Sequence, residues 1–484
     1  MRSLNWRIIL HIVGLLMVIN AMGMLLCLPW SFHFDDGAWK GILFASAITL
    51  AIGGSIWSMT LGHEPSIGKR EGFLVVTLGW LFLTLSGALP YLFTGSIPRF
   101  ADAFFETVSG FTTTGASILT DIEALPRSIL FWRSFTQWVG GMGIIVLTIA
   151  ILPLLGIGGM QLFMAESPGP TADKIHPRIK ETAKRMWAVY VLLTAVETGL
   201  LMFAEMDLFE ALCHSFTTMA TGGFSTRNAS AAAFGPAVQY IMILFMFLAG
   251  VNFTLNYFLI RGNWRRVWPN EEFRTYLFSV LALALVTTLI VFGTTENDLE
   301  QSFRDGLFQI VSILTTTGFV TADYTAWTPF LTTLFFVLLF VGGSSGSTSG
   351  GVKIVRFTVV IKNGLLELRR ILHPRAIFPV RLDKYALNES ITFNILGFFL
   401  LYVTIFVFGS MVLSAMGFDL VTAIGATATS LGNVGPGIGG VGPMDNFAWI
   451  SDPGKYFLAL LMLIGRLEVF TVLVLFTRAF WTDR

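Results

Sequence analysis

The sequence predicts an all-α polytopic membrane protein, with two N-terminal helices followed by four helix–pore-loop–helix repeats in pseudo-four-fold arrangement around one pore. Three observations predict it. Hydrophobic residues make up 54% and charged residues only 13%, against about 25% charged in soluble domains, and the mean hydropathy is +0.72. Long apolar runs recur along the whole chain. Between them a short polar, glycine-centred segment appears four times: Thr112-Thr113-Thr114-Gly115, Met219-Ala220-Thr221-Gly222-Gly223-Phe224, Thr315-Thr316-Thr317-Gly318-Phe319 and Ser430-Leu431-Gly432-Asn433-Val434.

Spans need about 20 mostly apolar residues. Ten segments qualify: Ile8 to Leu28, Gly41 to Leu61, Phe73 to Phe93, Ser128 to Leu155, Trp187 to Phe203, Pro236 to Ile260, Leu277 to Phe292, Pro329 to Val360, Ile391 to Met416 and Tyr456 to Phe476. The first lacks an Ala-x-Ala cleavage site and reads as a retained helix. With the N-terminus inside, the Lys and Arg residues gather on the inner segments. Only Lys40, Arg99, Arg127, Arg133, Arg227, Arg304 and Lys455 fall outside, and Arg466 lies within a span. This bias predicts cytoplasmic termini at both ends. The units follow as an N-terminal helix pair (1–67) and pore repeats at 68–160, 161–265, 266–384 and 385–484.

Asp102, Glu210, Asp305 and Asp419 precede Gly115, Gly222, Gly318 and Gly432 by 13, 12, 13 and 13 residues. That length suits a re-entrant half-helix of about 10 to 12 residues with the acidic residue near its N-terminus, where free N–H groups and the dipole favour it. Its C-terminal carbonyls face the membrane centre. Non-helical backbone at that depth must be buried or line a wet cavity, which four such segments around one axis achieve. Backbone carbonyls can replace the hydration shell of a cation, and glycine reaches positive φ at little cost. The expected ion-binding set is Thr112, Thr113, Thr114, Gly115, Ala220, Thr221, Gly222, Thr316, Thr317, Gly318, Leu431, Gly432 and Asn433.

In the third repeat the second span is interrupted by Gly342-Gly343-Ser344-Ser345-Gly346-Ser347-Thr348-Ser349-Gly350-Gly351, directly before Lys353. Glycine costs about 1 kcal/mol relative to alanine in a helix, so the chain leaves the helix here. A break inside the membrane and a cytoplasmic linker are both open, and the apolar run Ile354 to Ile361 favours the former. This is expected to be the only broken second helix. Arg466 falls near mid-membrane, where a charge marks a functional position or a structural ion pair. Glu468, two residues on, does not share its face. Glu197 and Glu468 are open as structural partners or subunit contacts.

Composition also narrows the function. Net charge of +1 without charged blocks excludes a bulk attraction to nucleic acid. Cys27 and Cys213 are too few for a disulfide framework or metal cluster and read as core. Gly342 to Gly346 formally matches G-x-S-x-G, but that motif needs a strand–turn–helix and a histidine base. None of His11, His33, His63, His176, His214 and His373 shares the expected depth of Ser344, so no enzyme is expected. Gly435 to Gly440 matches a dinucleotide fingerprint only formally, because it follows a pore segment and not a strand.

These motifs, with Val108-Ser109-Gly110-Phe111 before the first filter, Leu431-Gly432-Asn433-Val434-Gly435-Pro436-Gly437 and Gly465-Arg466-Leu467-Glu468, resemble the Trk/Ktr/HKT superfamily of cation transporters over essentially the whole chain. The additional N-terminal helix pair resembles the TrkH form of the family and not the shorter KtrB form. The resemblance implies a bacterial inner-membrane homodimer, membrane lipid around it, and potassium as the transported ion without an organic cofactor. It also implies selectivity for K⁺ over Na⁺ when all four filter positions are glycine, where plant relatives with a serine at the first position transport Na⁺. Cytosolic regulatory nucleotide-binding subunits of the TrkA type would meet the basic segments around Lys174 to Arg185 and Arg356 to Lys384. Met219, Ala220 and Leu431 depart from the threonines of the other filters, which argues against a symmetrical ring of hydroxyls. In this picture the loop from Gly342 to Gly351, with Lys353 and Arg466, gates the inner exit. A proton- or sodium-coupled symporter, or the cation-binding subunit of a primary pump, is the alternative. No Walker A or phosphorylation motif is present, so its energy would come from another chain or the membrane potential.

Overall fold

The computed structural model describes residues 4–62, 68–146, 175–383 and 385–482. The expected lower end of the fourth span (147–155) and the basic residues Lys174 and Lys384 lie outside them. The N-terminal pair is α1 (Trp6–Leu25) and α2 (Trp39–Met59). They cross closely at glycines: a methyl built on Gly14 would lie 2.8 Å from Trp57 N. Repeat 1 comprises α3 (Lys69–Gly87), α4 (Phe100–Phe111) and α5 (Arg127–Val146). Repeat 2 comprises α6 (Ile175–Phe203), α7 (Leu208–Met219), α8 (Pro236–Gly250) and α9 (Phe253–Ile260). Repeat 3 holds α10 (Glu271–Thr294), α11 (Leu299–Leu314), α12 (Pro329–Leu338) and α13 (Ile354–Leu372). Repeat 4 holds α14 (Glu389–Ala415), α15 (Leu420–Gly432), α16 (Asp452–Arg466) and α17 (Phe470–Leu473).

Among the described residues six helices are long and apolar enough to cross a membrane, or eight if each bent pair counts as one span. The two expected spans beyond these are α5, whose lower part is not described, and the interrupted pair α12 and α13. Cys27 and Cys213 are free and buried. The buried core has two main bodies. One joins repeats 1 and 4 through residues such as Phe105, Trp132, Leu458 and Met462. The other joins repeats 2 and 3 through Met242, Phe308, Ile310 and Leu331.

Two expectations need correction. The third repeat is not alone in having a broken second helix. The α8–α9 pair bends by 118°, and repeat 4 bends by 110° between Arg466 and Phe470. At the first break Asn252 restarts the helix by accepting a hydrogen bond from Thr254 N at 2.8 Å. At the second, Glu468 and Val469 both take positive φ, 58° and 50°. An uninterrupted apolar run conceals such breaks, because their signal is the capping geometry and not hydropathy.

Of the four acidic residues expected near helix N-termini, Asp305 sits differently. Asp207, Asp298 and Asp419 are the N-caps of α7, α11 and α15, accepting from Glu210 N, Gln301 N and Thr422 N at 2.6, 2.7 and 3.1 Å. Asp102 and Glu210 fall in first turns. Asp305 lies well inside α11, because that helix begins earlier and runs for 16 residues. At the exposed outer cap, hydrogen bonds from the Thr422 hydroxyl and backbone N–H hold the Asp419 carboxyl below its ordinary range.

Candidate functional site

The re-entrant helices α4, α7, α11 and α15 end in one shared geometry. Thr113, Thr221, Thr316 and Asn433 take left-handed φ of 52°, 52°, 57° and 54°. The next residue then donates its N–H five residues back: Thr114 to Ser109 O (2.9 Å), Gly222 to Thr217 O (2.8 Å), Thr317 to Ser312 O (2.8 Å) and Val434 to Thr429 O (3.0 Å). This is the Schellman closure of a helix, which ordinarily uses glycine at the left-handed position. Threonine there is a costly conformation, about 1–3 kcal/mol for each residue, and persists only where the surroundings fix it.

Two residues past each left-handed residue stands a glycine with positive φ: Gly115 (81°), Gly223 (74°), Gly318 (83°) and Gly435 (101°). A methyl built on Gly115 would lie within 3.0 Å of the Gly222 carbonyl oxygen; one on Gly223 would meet Thr317 O, one on Gly318 Val434 O, and one on Gly435 Thr114 O. Each glycine therefore faces the carbonyl that precedes the glycine of the next repeat, and the cycle closes from repeat 4 back to repeat 1. This register differs from the sequence reading in two repeats. Gly222 occupies the place of Thr114 and Thr317, and Gly432 is the last residue of α15. For repeat 2 a signal was present, since Gly223 restores the spacing of 13 from Glu210. For repeat 4 the spacing pointed to Gly432, and only backbone geometry selects Gly435.

Side chains behind the segments hold them. The Thr112 and Thr114 hydroxyls pair at 2.7 Å, as do those of Thr315 and Thr317. Asn433 Nδ2 donates to Thr114 Oγ1 and to Met462 O, both at 2.9 Å, tying repeat 4 to repeat 1. Tyr324 donates its hydroxyl to Gly437 O at 2.6 Å, tying repeat 3 to repeat 4. Repeat 1 is tied to repeat 2 by Arg133, which the sequence reading placed in an outer segment. Its Nε donates to Glu106 Oε1 at 2.7 Å and its Nη1 to Ser225 O at 2.9 Å, and the guanidinium covers the Phe224 ring at 3.5 Å. Glu106 also accepts from Ile118 N at 2.9 Å, so both charges of this fully buried pair are satisfied. Sequence reasoning missed Glu106, Arg133 and Gln137; polar residues inside otherwise apolar α4 and α5 were the available signal.

Directly beneath lies the Gly/Ser loop between α12 and α13. Its ends pair as two short parallel strands, β1 (Val341–Gly342) and β2 (Val352–Lys353). Ser344, Ser347, Thr348 and Ser349 are all buried. Gly350 N donates to Thr316 Oγ1 at 2.6 Å, so the loop touches the third segment itself. Ser344 N donates to Gly250 O at 2.8 Å, and the Thr348 hydroxyl to Met219 O at 2.9 Å. Arg466 Nη1 donates to Thr348 O at 2.8 Å and its Nη2 to Gly140 O at 3.4 Å. No ion pair of Arg466 is found among the described residues, so its buried guanidinium rests on carbonyls of the loop and of repeat 1. Lys353 donates Nζ to Ser349 Oγ at 3.1 Å and to Ser349 O. Glu272, at the start of α10, accepts from Ser345 N at 2.6 Å. Glu468 does not face Arg466; it pairs with Arg356 in the first turn of α13. Glu197 is buried on α6. His214 contacts Ser225 Oγ at 3.0 Å, and Ser344 Oγ has no hydrogen-bond partner among the described residues.

Fold and site together define the class: a helical multi-pass membrane protein whose four re-entrant repeats enclose one pore. A family model described as a cation transport protein, TrkH, matches residues 40–483. The Trk system potassium uptake protein TrkH of Salmonella typhimurium is 42% identical over 486 residues, covering 99% of this chain and 100% of that protein. The TrkH protein of Vibrio parahaemolyticus is 40% identical over 489 residues with the same coverage. A crystal structure of the potassium transporter TrkH from Vibrio parahaemolyticus aligns with a TM-score of 0.91 at 38% identity, covering 99% of this chain and 100% of that one. The chain belongs to the TrkH family of cation transport proteins.

Proposed function

We propose that this protein takes up potassium across the bacterial inner membrane through a channel-like pore, with both termini cytoplasmic. The observation that carries the reading is the closed cycle of Gly115, Gly223, Gly318 and Gly435 against the carbonyls of Gly222, Thr317, Val434 and Thr114. Four equivalent strands of backbone carbonyls around one axis supply the oxygen ligands a dehydrated cation needs. The C-terminal dipoles of α4, α7, α11 and α15 point partial negative charge at the cavity below, favouring a cation there. The names of the curated relatives, potassium uptake proteins of the Trk system, support K⁺ as the ion.

The Gly/Ser loop closes the inner exit in this reading. Its direct bond to Thr316 and its burial support that role, and Arg466 both pins the loop at Thr348 and repels cations that approach. A unit charge at about 4 Å costs roughly 4 kcal/mol at an effective dielectric of about 20. Control by a cytosolic nucleotide-binding subunit would act through the basic inner segments, and the chain would work as a homodimer. The test is rubidium uptake into proteoliposomes, with and without competing Na⁺ and a pH gradient. Uptake driven by membrane potential alone, resisted by K⁺ and little by Na⁺, is expected; strict dependence on a proton or sodium gradient would replace the channel with a symporter.

A further inference from the structure

The second segment differs from its partners in what stands behind it. Repeats 1 and 3 each brace their segment with a pair of threonine hydroxyls, Thr112 with Thr114 and Thr315 with Thr317. At the matching places repeat 2 has Ala220 and Gly222, so it has no such pair. Its backbone is nevertheless the same: Thr221 and Gly223 take the φ values of their counterparts, and Gly222 N makes the same closing bond.

What fills the gap comes from repeat 1. Gln137 on α5 is fully buried. Its Nε2 donates to Gly222 O at 2.7 Å, and its Oε1 accepts from Phe224 N at 3.1 Å, so one side-chain amide spans the two peptide groups on either side of Gly223. A methyl built on Gly222 would fall within 3.0 Å of Gln137 Cδ, Oε1 and Nε2. The missing side chain at position 222 is therefore what makes room for the glutamine. Gly222 O is also one of the four carbonyls of the glycine cycle, and no side-chain donor to Thr114 O, Thr317 O or Val434 O is found among the described residues.

We propose that Gln137 is a specificity-determining positioning residue: it replaces, from a neighbouring repeat, the threonine pair that braces repeats 1 and 3, and holds the Gly222 carbonyl in the ring. The inference rests on the filter reading above. A side-chain amide holds its N–H donors and its carbonyl acceptor in one fixed plane, which a hydroxyl pair cannot do across two peptide groups. It therefore sets the orientation of the Gly222–Gly223 peptide as well as the space behind it.

The test measures rubidium uptake and its inhibition by Na⁺ in proteoliposomes for Gln137→Leu, for Gly115→Ser as the reference filter variant, and for the triple variant Gln137→Ala/Ala220→Thr/Gly222→Thr. Gln137→Leu is expected to lower discrimination against Na⁺ by about tenfold, the effect of losing a hydrogen-bonded partner of a buried group. The triple variant rebuilds the brace of repeats 1 and 3 and is expected to recover most of that loss, which a general packing defect would not do. If Gln137→Leu discriminates normally while Gly115→Ser does not, the inference falls and the filter reading stands. If neither changes discrimination, the filter reading itself fails. Where Gln137→Leu does not fold, the triple variant decides: a folded triple variant that fails to discriminate overturns the inference, and one that discriminates supports it.

Discussion

The four glycine segments and the Gly/Ser loop beneath them are both non-helical backbone at membrane depth, yet they are held in different ways. Each segment is fixed first by its own helix, through a left-handed closure that repeats in all four, and then by single side-chain ties between neighbouring repeats, such as Asn433 to Thr114 and Gln137 to Gly222 O. The loop is closed at its ends by the β1–β2 pairing and carries a few bonds within it, from Ser347 N and its hydroxyl to Ser344 O and from Gly343 N to Ser349 Oγ at 3.0 Å, but it has no helix of its own to fix it. Its anchors are Thr316, Met219 O, Gly250 O, Glu272 and Arg466, which lie on elements of three repeats. A segment fixed locally keeps its shape when the helices around it shift. One fixed by several distant elements is released more readily when they move, which would suit the selection proposed for the segments above and the gating proposed for the loop below.

The comparison can be broken most sharply at the ring. Gly435→Ser and Gly115→Ser drive a side chain into a neighbouring carbonyl, and overpacking of about 1–3 kcal/mol predicts loss of discrimination against Na⁺ by about 10- to 100-fold. Gly432→Ser instead presses on Leu339 O outside the cycle, so it is expected to lower the yield of folded protein and leave the ion ratio of the surviving fraction near normal. Competitive uptake on size-exclusion-purified protein checks both, and an ion ratio more sensitive to position 432 than to 435 would restore the register read from the sequence.

Loop variants should behave in the opposite way. Deleting 346–348 removes the Thr348 contacts, and flux is expected to rise about tenfold with the K⁺ to Na⁺ ratio unchanged, in line with about 1.5–3 kcal/mol for a hydrogen bond to a charged group. Arg466→Gln should raise flux by somewhat less, since one of the loop's several anchors is lost. The smallest expected effect is at Glu272→Gln, which keeps an acceptor for Ser345 N but loses its charge; a rise of about twofold to fivefold follows from about 0.5–1 kcal/mol. Any of these that altered the ion ratio would show that loop and ring do not act separately.

Much was legible before the fold. The hydropathy gave the spans, the Lys and Arg distribution gave an expected orientation, and the fourfold repetition pointed to the ring, because each follows from local composition and period. The interrupted span at Gly342 to Gly351 was legible for the same reason. The broken helices at Val251 and at Leu467 to Val469 were not, since both runs are apolar enough to pass as spans and their breaks lie in the backbone geometry at Asn252, Glu468 and Val469. Nor was the pairing of Arg356 with Glu468, which lie 112 residues apart.

The sequence by itself determined that four glycine-centred turns sit between spans, since a polar turn in an apolar run leaves the chain few other places to go. Where a turn offers more than one glycine, as in repeats 2 and 4, which of them meets the neighbouring carbonyl was decided by the tertiary structure. The left-handed closures at Thr113, Thr221, Thr316 and Asn433 set the register, and each is affordable only with its neighbours in place. A residue's φ is a property of its surroundings as much as of its type, and those surroundings come from the other three repeats.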